Sequence, residues 1–184
     1  MRALALVTNL DDPSPAIQGI EVARLLLDDQ NPRLPERLHG EPQSEILAFL
    51  FRQAALEELA QSYLDNGFFQ HEPLIVVPQG GGRFVVVEGN RRLAALKILL
   101  NAEEADLLRF IGMEPTSAQR LSLVEVPCFV VGDRALVHPF VGFRHIGGIK
   151  TWPPEAKARY VLEEIRRIAG ESPDPFRELG RRVG

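Results

Sequence analysis

The chain has 184 residues, of which 45% are hydrophobic and 25% charged, as is typical of one well-buried globular domain with a small addition. No apolar run approaches the roughly 18–20 residues of a membrane span, and the apolar start lacks the basic residues and cleavage site of a secretory signal. We therefore predict a cytoplasmic protein without a membrane partner. The single cysteine, Cys128, excludes an internal disulfide and the usual cysteine-rich zinc sites.

The net charge of −4 excludes a protein coated in basic surface, but the charge is unevenly spread. Residues 1–75 hold 5 Lys and Arg against 12 Asp and Glu, whereas residues 76–184 hold 16 against 13. A site for a polyanion is therefore expected in the second part of the chain, although a mixed solvated surface would give the same asymmetry.

Strands and helices alternate in the predicted order of elements, which favours an α+β or mixed α/β fold. Apolar spacing from Ser44 to Gly67 fits either two helices or one kinked helix. Gly67 after Asn66 is typical of a helix end. We predict strands at 22–27, 73–77, 84–87 and 124–131, and further helices at 90–100, 103–110 and 116–121.

From Arg134 onward the sequence predicts only helices. The run from Trp152 to Glu155 has prolines and an acid at the positions that favour a helix start. A last amphipathic helix is predicted at 174–183.

The sequence VVVEGNRRLAALK, Val85 to Lys97, predicts a strand that turns at Gly89 directly into a helix with two arginines in its first turn. A helix start exposes unpaired N–H groups and the positive end of the helix dipole, so Arg91 and Arg92 add cations where anions are favoured. The arrangement suits a bound phosphate, which arginine can hold with two N–H groups. The alternative is an ion pair of Arg91 or Arg92 with Glu88 or another carboxylate.

Four segments in order resemble the ParB/sulfiredoxin-like superfamily, particularly ParB-like N-terminal domains. They are NPR at 31–33, LEELAQSYLDNG at 56–67, PLIVV at 73–77 and EGNRRLAALK at 88–97. The resemblance implies an α+β fold with a mixed sheet at 1–132 and an all-helical part at 133–184.

In ParB-like proteins the turn that matches Gly89 to Arg92 holds nucleotide phosphates, and the stretch that matches Asn31 to Arg33 lines the same pocket. The resemblance therefore implies that Asn31, Arg33, Gly89, Asn90, Arg91 and Arg92 bind a nucleoside triphosphate, either CTP or ATP. The residues alone favour the alternative, in which Arg33 is a solvated loop arginine.

A third signature of the family, in which an acid and an asparagine serve magnesium and nucleotide, should fall near 143–150. The chain reads FRHIGGIK there, with Arg144 and His145 in the expected places. This departure makes Mg²⁺ binding and CTP hydrolysis doubtful, although Arg144 and His145 could still bind phosphate without metal. His145 also fits a hydrogen-bonded structural residue.

Other members of the superfamily are enzymes. Sulfiredoxins use a cysteine in the glycine turn, where this chain has Asn90, so that activity is not expected. A phosphotransferase or NTPase would need a carboxylate base, and Glu88 is the candidate. A nuclease has little support, because no compact cluster of metal-binding residues is visible.

The C-terminal sequence PDPFRELGRRVG resembles the opening of a helix-turn-helix, in which Arg181 and Arg182 would contact DNA. Base-specific binding needs a second helix, and an ordinary terminal helix is the alternative. The sequence thus predicts a ParB-like nucleotide- and DNA-associated switch protein, a partitioning or regulatory factor, which could act as a homodimer.

Overall fold

The computed structural model describes residues 17–53, 55–100, 112, 114–147, 153–170 and 172–183. A five-stranded sheet forms its centre, with strands in the order β1-β5-β3-β4-β2. The strands are β1 (Ile17–Glu21), β2 (Leu25–Leu27), β3 (Leu74–Gly80), β4 (Arg83–Glu88) and β5 (Glu125–Val130). Because β1–β5 and β3–β4 are antiparallel while β3–β5 and β2–β4 are parallel, the sheet is mixed and the predicted α+β class is confirmed.

The prediction of one strand at 22–27 was wrong. Val22–Arg24 is a turn of 3₁₀-helix between two strands, and β1 before it was not predicted. The turn is needed because β1 and β2 lie at opposite edges of the sheet, so the chain must change direction between them. The Val22 N–H donates to the Val124 carbonyl at 2.8 Å, which ties the turn to the start of β5.

The strands predicted at 73–77 and 84–87 correspond to β3 and β4, which form an antiparallel hairpin. Its turn contains Gly80, Gly81 and Gly82, all with positive φ angles of 92°, 59° and 73°. Residues with a side chain rarely adopt these angles, which explains the run of three glycines.

Helices α1 (Gln43–Gln53) and α2 (Leu56–Asn66) are separate, which decides between the two alternatives left by the sequence. Ala55, with φ of 45°, lies in the left-handed region at the start of α2. The end of α2 is as predicted, since the Gly67 N–H donates to the Tyr63 carbonyl at 2.9 Å.

Helix α3 (Asn90–Leu100) has the predicted bounds and lies at the centre of the core. Its fully buried side chains are Leu93, Ala94, Ala95, Leu96, Ile98 and Leu99. A helix buried on so many sides cannot shift without disturbing the sheet, so its first turn is held in a fixed place.

Helix α4 (Ser117–Leu123) begins at a capping box formed by Thr116 and Gln119. The predicted helix at 103–110 lies outside the described residues.

The described residues after Arg134 are helical, as predicted. They form a 3₁₀ turn (Arg134–Leu136), α5 (His138–Gly142), a π turn (Phe143–Gly147), α6 (Pro154–Ile168) and α7 (Pro175–Val183). Helix α7 packs against α6 and α2, and Ile168 and Leu179 are buried there. In the described part of the chain, no helix is long and apolar enough to cross a membrane.

Candidate functional site

The first turn of α3 leaves backbone donors free at a tightly built junction. The Leu93 N–H donates to the Gly89 carbonyl at 2.9 Å, so the N–H groups of Asn90, Arg91 and Arg92 have no acceptor within the helix. Gly89 has a φ of 104°, and a Cβ there would lie 2.5 Å from Leu74 Cδ2 and 3.0 Å from Arg92 Nη2. Only glycine fits between the strand and the helix.

The side chain of Asn90 is buried and forms two hydrogen bonds within the fold. Its Oδ1 accepts the Asp28 N–H at 2.9 Å, and its Nδ2 donates to the Val86 carbonyl at 2.7 Å. These bonds use one acceptor position and one N–H of the amide, and the predicted contact of Asn90 with phosphate stays a prediction. Its role is to hold the loop after β2 against the start of α3.

Asp28 in that loop forms an ion pair that sequence reasoning missed. Its carboxylate is 1% exposed and binds Arg134 through two contacts, Oδ2 to Nη1 at 2.9 Å and Oδ1 to Nη2 at 2.5 Å. The position of Asp28, a charged residue directly after an apolar strand, was the feature of the sequence that could have indicated its role. The partner lies 106 residues away, and nothing in the local sequence identifies it.

Residues 31–33 continue this loop. The Asn31 Oδ1 accepts the Arg33 N–H at 3.0 Å, and the Asn31 carbonyl accepts the Leu34 N–H at 2.9 Å. The Asn31 side chain therefore shapes a turn. The Arg33 side chain is exposed and has no hydrogen bond or ion pair to the described residues, so it is available to an anion.

The two arginines of the turn have different surroundings. Arg92 is 13% exposed, and its Nη1 donates to the carbonyls of Glu72 and Pro73, the latter at 3.4 Å. The same nitrogen lies 3.7 Å from Glu72 Oε2. Arg92 thus forms the ion pair that the sequence left open, with Glu72 as its partner.

Arg91 is not part of this network. It is exposed, and none of the described residues forms a hydrogen bond or an ion pair with its guanidinium. Arg91 therefore combines with the free N–H groups of the helix start to give an uncompensated positive site.

Arg144 and His145 meet at Glu88, at the end of β4. The Glu88 carboxylate is 12% exposed; its Oε2 lies 2.9 Å from His145 Nε2 and its Oε1 lies 3.6 Å from Arg144 Nε. Arg144 Nη2 is also 3.9 Å from Glu72 Oε1. Three of the predicted residues are thus close together, but the Glu88 carboxylate already contacts both the Arg144 and the His145 side chains.

A cavity of about 460 Å³ lies beside this network, between the sheet and the segment 134–147. Its polar wall consists of His71, Glu72, Glu88, Arg92 and Arg144. Its apolar wall consists of Pro73, Ile75, Phe129, Val131, Leu136, Val137 and Phe140.

The described residues do not fit a magnesium site. They contain no group of three side chains that could hold a metal ion. Near the turn, Asp28, Glu72 and Glu88 all contact arginine or histidine, so none offers Mg²⁺ an uncompensated carboxylate.

The remaining predicted residues, Arg181 and Arg182, belong to the last turns of α7. Their side chains lie outside the described part of the structure, so their predicted contact with DNA stays a prediction.

Comparison with known families bears directly on the turn. Residues 35–109 match the model of the ParB N-terminal domain. Over these residues the chain is similar to a ParB N-terminal domain. The matched range includes Gly89 to Arg92 of this domain, whereas Arg33 and the helices after Arg134 lie outside it.

Among solved structures, the chain is similar to the C-terminally truncated chromosome-partitioning protein ParB from Caulobacter crescentus, in complex with CTP-gamma-S. The two are 19% identical, with a TM-score of 0.45, over 85% of this chain and 63% of that one. The chain thus spans less than two thirds of that protein. No curated protein matches it.

Proposed function

We propose that the chain is a nucleotide- and DNA-associated binding and switch protein of the ParB-like kind, a cytoplasmic partitioning or regulatory factor. The start of α3 holds the phosphates of a nucleoside triphosphate, CTP or ATP. The observation that carries the proposal is Arg91, an exposed cation on a helix start whose N–H groups are free.

The charges around the turn support an external anion. Arg92, Arg134, Arg144 and His145 each contact a carboxylate of the chain. Arg91 has no such partner in the described ranges, and its position costs roughly 0.3–1 kcal/mol unless an anion is bound. A phosphate accepts hydrogen bonds from both the guanidinium and the backbone.

Arg33 supplies a second cation to the same site. Its loop is fastened to the start of α3 by the bond between Asp28 and Asn90. Arg33 and Arg91 together would neutralise two of the charges of a triphosphate, which makes a triphosphate a better ligand than a neutral sugar.

Arg144 and His145 have a conditional role in this proposal. Both are bound to Glu88, so they reach a phosphate only by exchanging the carboxylate for it. Such an exchange would move the segment 134–147 and would give the nucleotide a means of switching the helical part.

A thermal-shift panel with CTP and ATP, each with and without Mg²⁺, tests nucleotide binding. At a ligand concentration 100 times Kd, binding stabilises the protein by about 2.7 kcal/mol, which raises Tm by several degrees. Arg91→Ala should lose most of the shift. Arg52→Ala, which removes an exposed helical arginine elsewhere, should keep it.

Failure of all nucleotides to shift Tm would contradict the nucleotide part of the proposal. An equal shift in Arg91→Ala and Arg52→Ala would place the ligand away from the turn.

DNA contact is assigned to the end of α7. Binding of duplex DNA, followed by fluorescence anisotropy at several salt concentrations, should weaken when Arg181 and Arg182 are both changed to Ala. The slope of log K against log salt should fall by roughly 1.8, because each lost phosphate contact contributes about 0.9. An unchanged slope in the double variant would contradict this assignment. The control is the double variant Arg52→Ala/Arg83→Ala, which should keep the wild-type slope.

A phosphotransferase or NTPase is the second candidate. The contact of the Glu88 carboxylate with the His145 imidazole beside a cavity favours it, because such a pair can accept a proton. Turnover of CTP or ATP that Glu88→Gln abolishes while binding survives would establish an enzyme. If the wild-type protein binds CTP or ATP without turnover, the result supports the proposed binding and switch function instead.

A further inference from the structure

The cavity of about 460 Å³ between the sheet and the segment 134–147 has an apolar wall and a polar wall. It is open to solvent, and Leu136 and Phe140 of its apolar wall are 71% and 44% exposed. Two guanidinium groups and two carboxylates belong to its polar wall, from Arg92, Arg144, Glu72 and Glu88. The proposed function gives this cavity no ligand of its own.

The guanidinium of Arg144 lies at the polar wall without a hydrogen bond to any described residue. Its Nη2 lies 3.9 Å from Glu72 Oε1 and its Nε lies 3.6 Å from Glu88 Oε1, both beyond hydrogen-bonding distance. Its Cζ lies 6.0 Å from the centre of the Phe140 ring. Because Glu72, Glu88 and Phe140 all line the cavity, the guanidinium between them does so too. The side chain is 29% exposed, so a ligand can reach it.

The carboxylate of Glu72 is held just as loosely. Its oxygens lie 3.9 Å from Arg144 Nη2 and 3.7 Å from Arg92 Nη1, and no described residue donates a hydrogen bond to them. The side chain is 56% exposed, and an exposed ion pair at such a distance contributes little to stability. Glu88 differs, because its Oε2 lies 2.9 Å from His145 Nε2. The pair of Glu72 and Arg144 can therefore open to admit a ligand between its two charges.

We propose that this cavity binds a small zwitterion with an apolar side chain, of the class of the apolar α-amino acids. The carboxylate of the ligand accepts N–H groups from Arg144, whose planar fork matches a carboxylate. The ammonium group of the ligand donates to the Glu72 carboxylate. The apolar side chain lies against the wall that contains Leu136 and Phe140.

The charge of the polar wall favours a zwitterion over an anion or a cation. Its two guanidinium groups and two carboxylates balance one another. A ligand with only a carboxylate would meet repulsion from Glu72 and Glu88, and a ligand with only an ammonium group would meet repulsion from Arg92 and Arg144. A zwitterion carries both charges and places each beside its opposite.

The volume sets the size of the side chain. Ligand sites commonly enclose about 300–1,000 Å³, and an apolar cavity of about 150 Å³ already accepts benzene. The cavity of about 460 Å³ therefore holds an amino acid with one aromatic ring or a branched aliphatic chain.

Four probes separate the contributions of the three ligand groups. L-Phenylalanine carries all three, phenethylamine lacks the carboxylate, phenylpropionate lacks the ammonium group, and glycine lacks the side chain. Titrations of the ¹⁵N-labelled full chain, without nucleotide, should show L-phenylalanine shifting amides within 71–75 and 134–144. We expect L-phenylalanine to bind at least about tenfold more tightly than each of the others, because each of them leaves a charged group or the apolar wall without its partner.

Two variants assign the charged ends of the ligand. Arg144→Gln should bind L-phenylalanine and phenethylamine with equal affinity, because the ligand carboxylate has lost its partner. Glu72→Gln should do the same for L-phenylalanine and phenylpropionate. Arg52→Gln and Glu45→Gln, which change exposed side chains elsewhere, should keep both preferences. Arg91→Ala should also keep them, so failure of the phosphate site and failure of this cavity are distinguishable.

The two variants test the proposal independently if one of them fails to fold. Absence of saturable shifts within 71–75 and 134–144 when L-phenylalanine is added to the wild type would overturn the proposal. Equal affinities of L-phenylalanine and phenethylamine in the wild type would do so as well. A preference for L-phenylalanine over phenethylamine that persists in Arg144→Gln would show that Arg144 does not hold the carboxylate.

Discussion

At the scale of single residues, two adjacent arginines have opposite roles. Arg92 is fixed to the start of β3 through the carbonyls of Glu72 and Pro73, while Arg91 is exposed on the same helix turn. Neighbouring positions on a helix point about 100° apart, so one can serve the fold while the other faces a ligand.

This difference predicts opposite effects on stability. Arg92→Ala should lower the free energy of unfolding by about 1.5–3 kcal/mol, since it removes the hydrogen bonds of a charged group to the carbonyls of Glu72 and Pro73. Arg91→Ala should leave it unchanged or raise it slightly, because it removes a cation from the positive end of the helix. Urea unfolding of both variants measures the change in the free energy of unfolding. An equal loss of stability in the two variants would contradict the difference between Arg91 and Arg92.

A second residue-scale prediction concerns Gly89. Gly89→Ala should destabilise the protein by at least about 1–3 kcal/mol, because its Cβ would lie 2.5 Å from Leu74 Cδ2 at an unfavourable φ. Gly132→Ala, where no atom lies within 4 Å of the added Cβ, is the matched control. Similar urea midpoints for the two variants would contradict the close packing at the turn.

At the scale of elements, local patterns gave α3 and the two strands β3 and β4, because helical spacing and a glycine turn are encoded within a few residues. Strand β1 was missed because its partner, β5, lies about 100 residues further along. The same distinction between local and tertiary information applies to the candidate site. The helix start of Arg91 was predictable, whereas the pairs Asp28–Arg134 and Glu72–Arg92 depend on tertiary contacts.

The ion pair between Asp28 and Arg134 links the segment 134–147 to the loop after β2. Arg134→Ala leaves a buried carboxylate unpaired, but the loss should stay below the roughly 3–5 kcal/mol of a fully buried pair, because Arg134 is 28% exposed. Hydrogen exchange within 134–147 should accelerate. Arg167→Ala, which breaks an exposed pair with Glu164, should cost at most about 1 kcal/mol and change no exchange there.

At the scale of the whole molecule, the described residues after Arg134 contact the earlier part of the chain at the sheet and at α2. The segment 134–147 reaches Asp28 and Glu88, and α7 packs on α2. A phosphate that replaced Glu88 as the partner of Arg144 and His145 would therefore act on both parts at once. The boundary near residue 132 stays a prediction.

Stability of the whole molecule should fall at high pH in part through Cys128. Burial raises the pKa of this thiol to about 12 from the ordinary value of 9.0. Above pH 9 the unfolded chain loses this proton while the folded chain keeps it, so the stabilisation is present below pH 9 and is lost toward pH 12. In Cys128→Ala, the free energy of unfolding should fall less steeply above pH 9. Identical slopes would contradict the buried, protonated thiol.

Amide shifts of ¹⁵N-labelled protein during a nucleoside triphosphate titration test the central claim most directly. We predict that the largest saturable shifts occur at the N–H groups of Asn90, Arg91 and Arg92, and that Arg91→Ala weakens binding at least tenfold while Arg52→Ala does not. Saturable binding with its largest shifts away from the start of α3, or unchanged affinity in Arg91→Ala, would contradict the account.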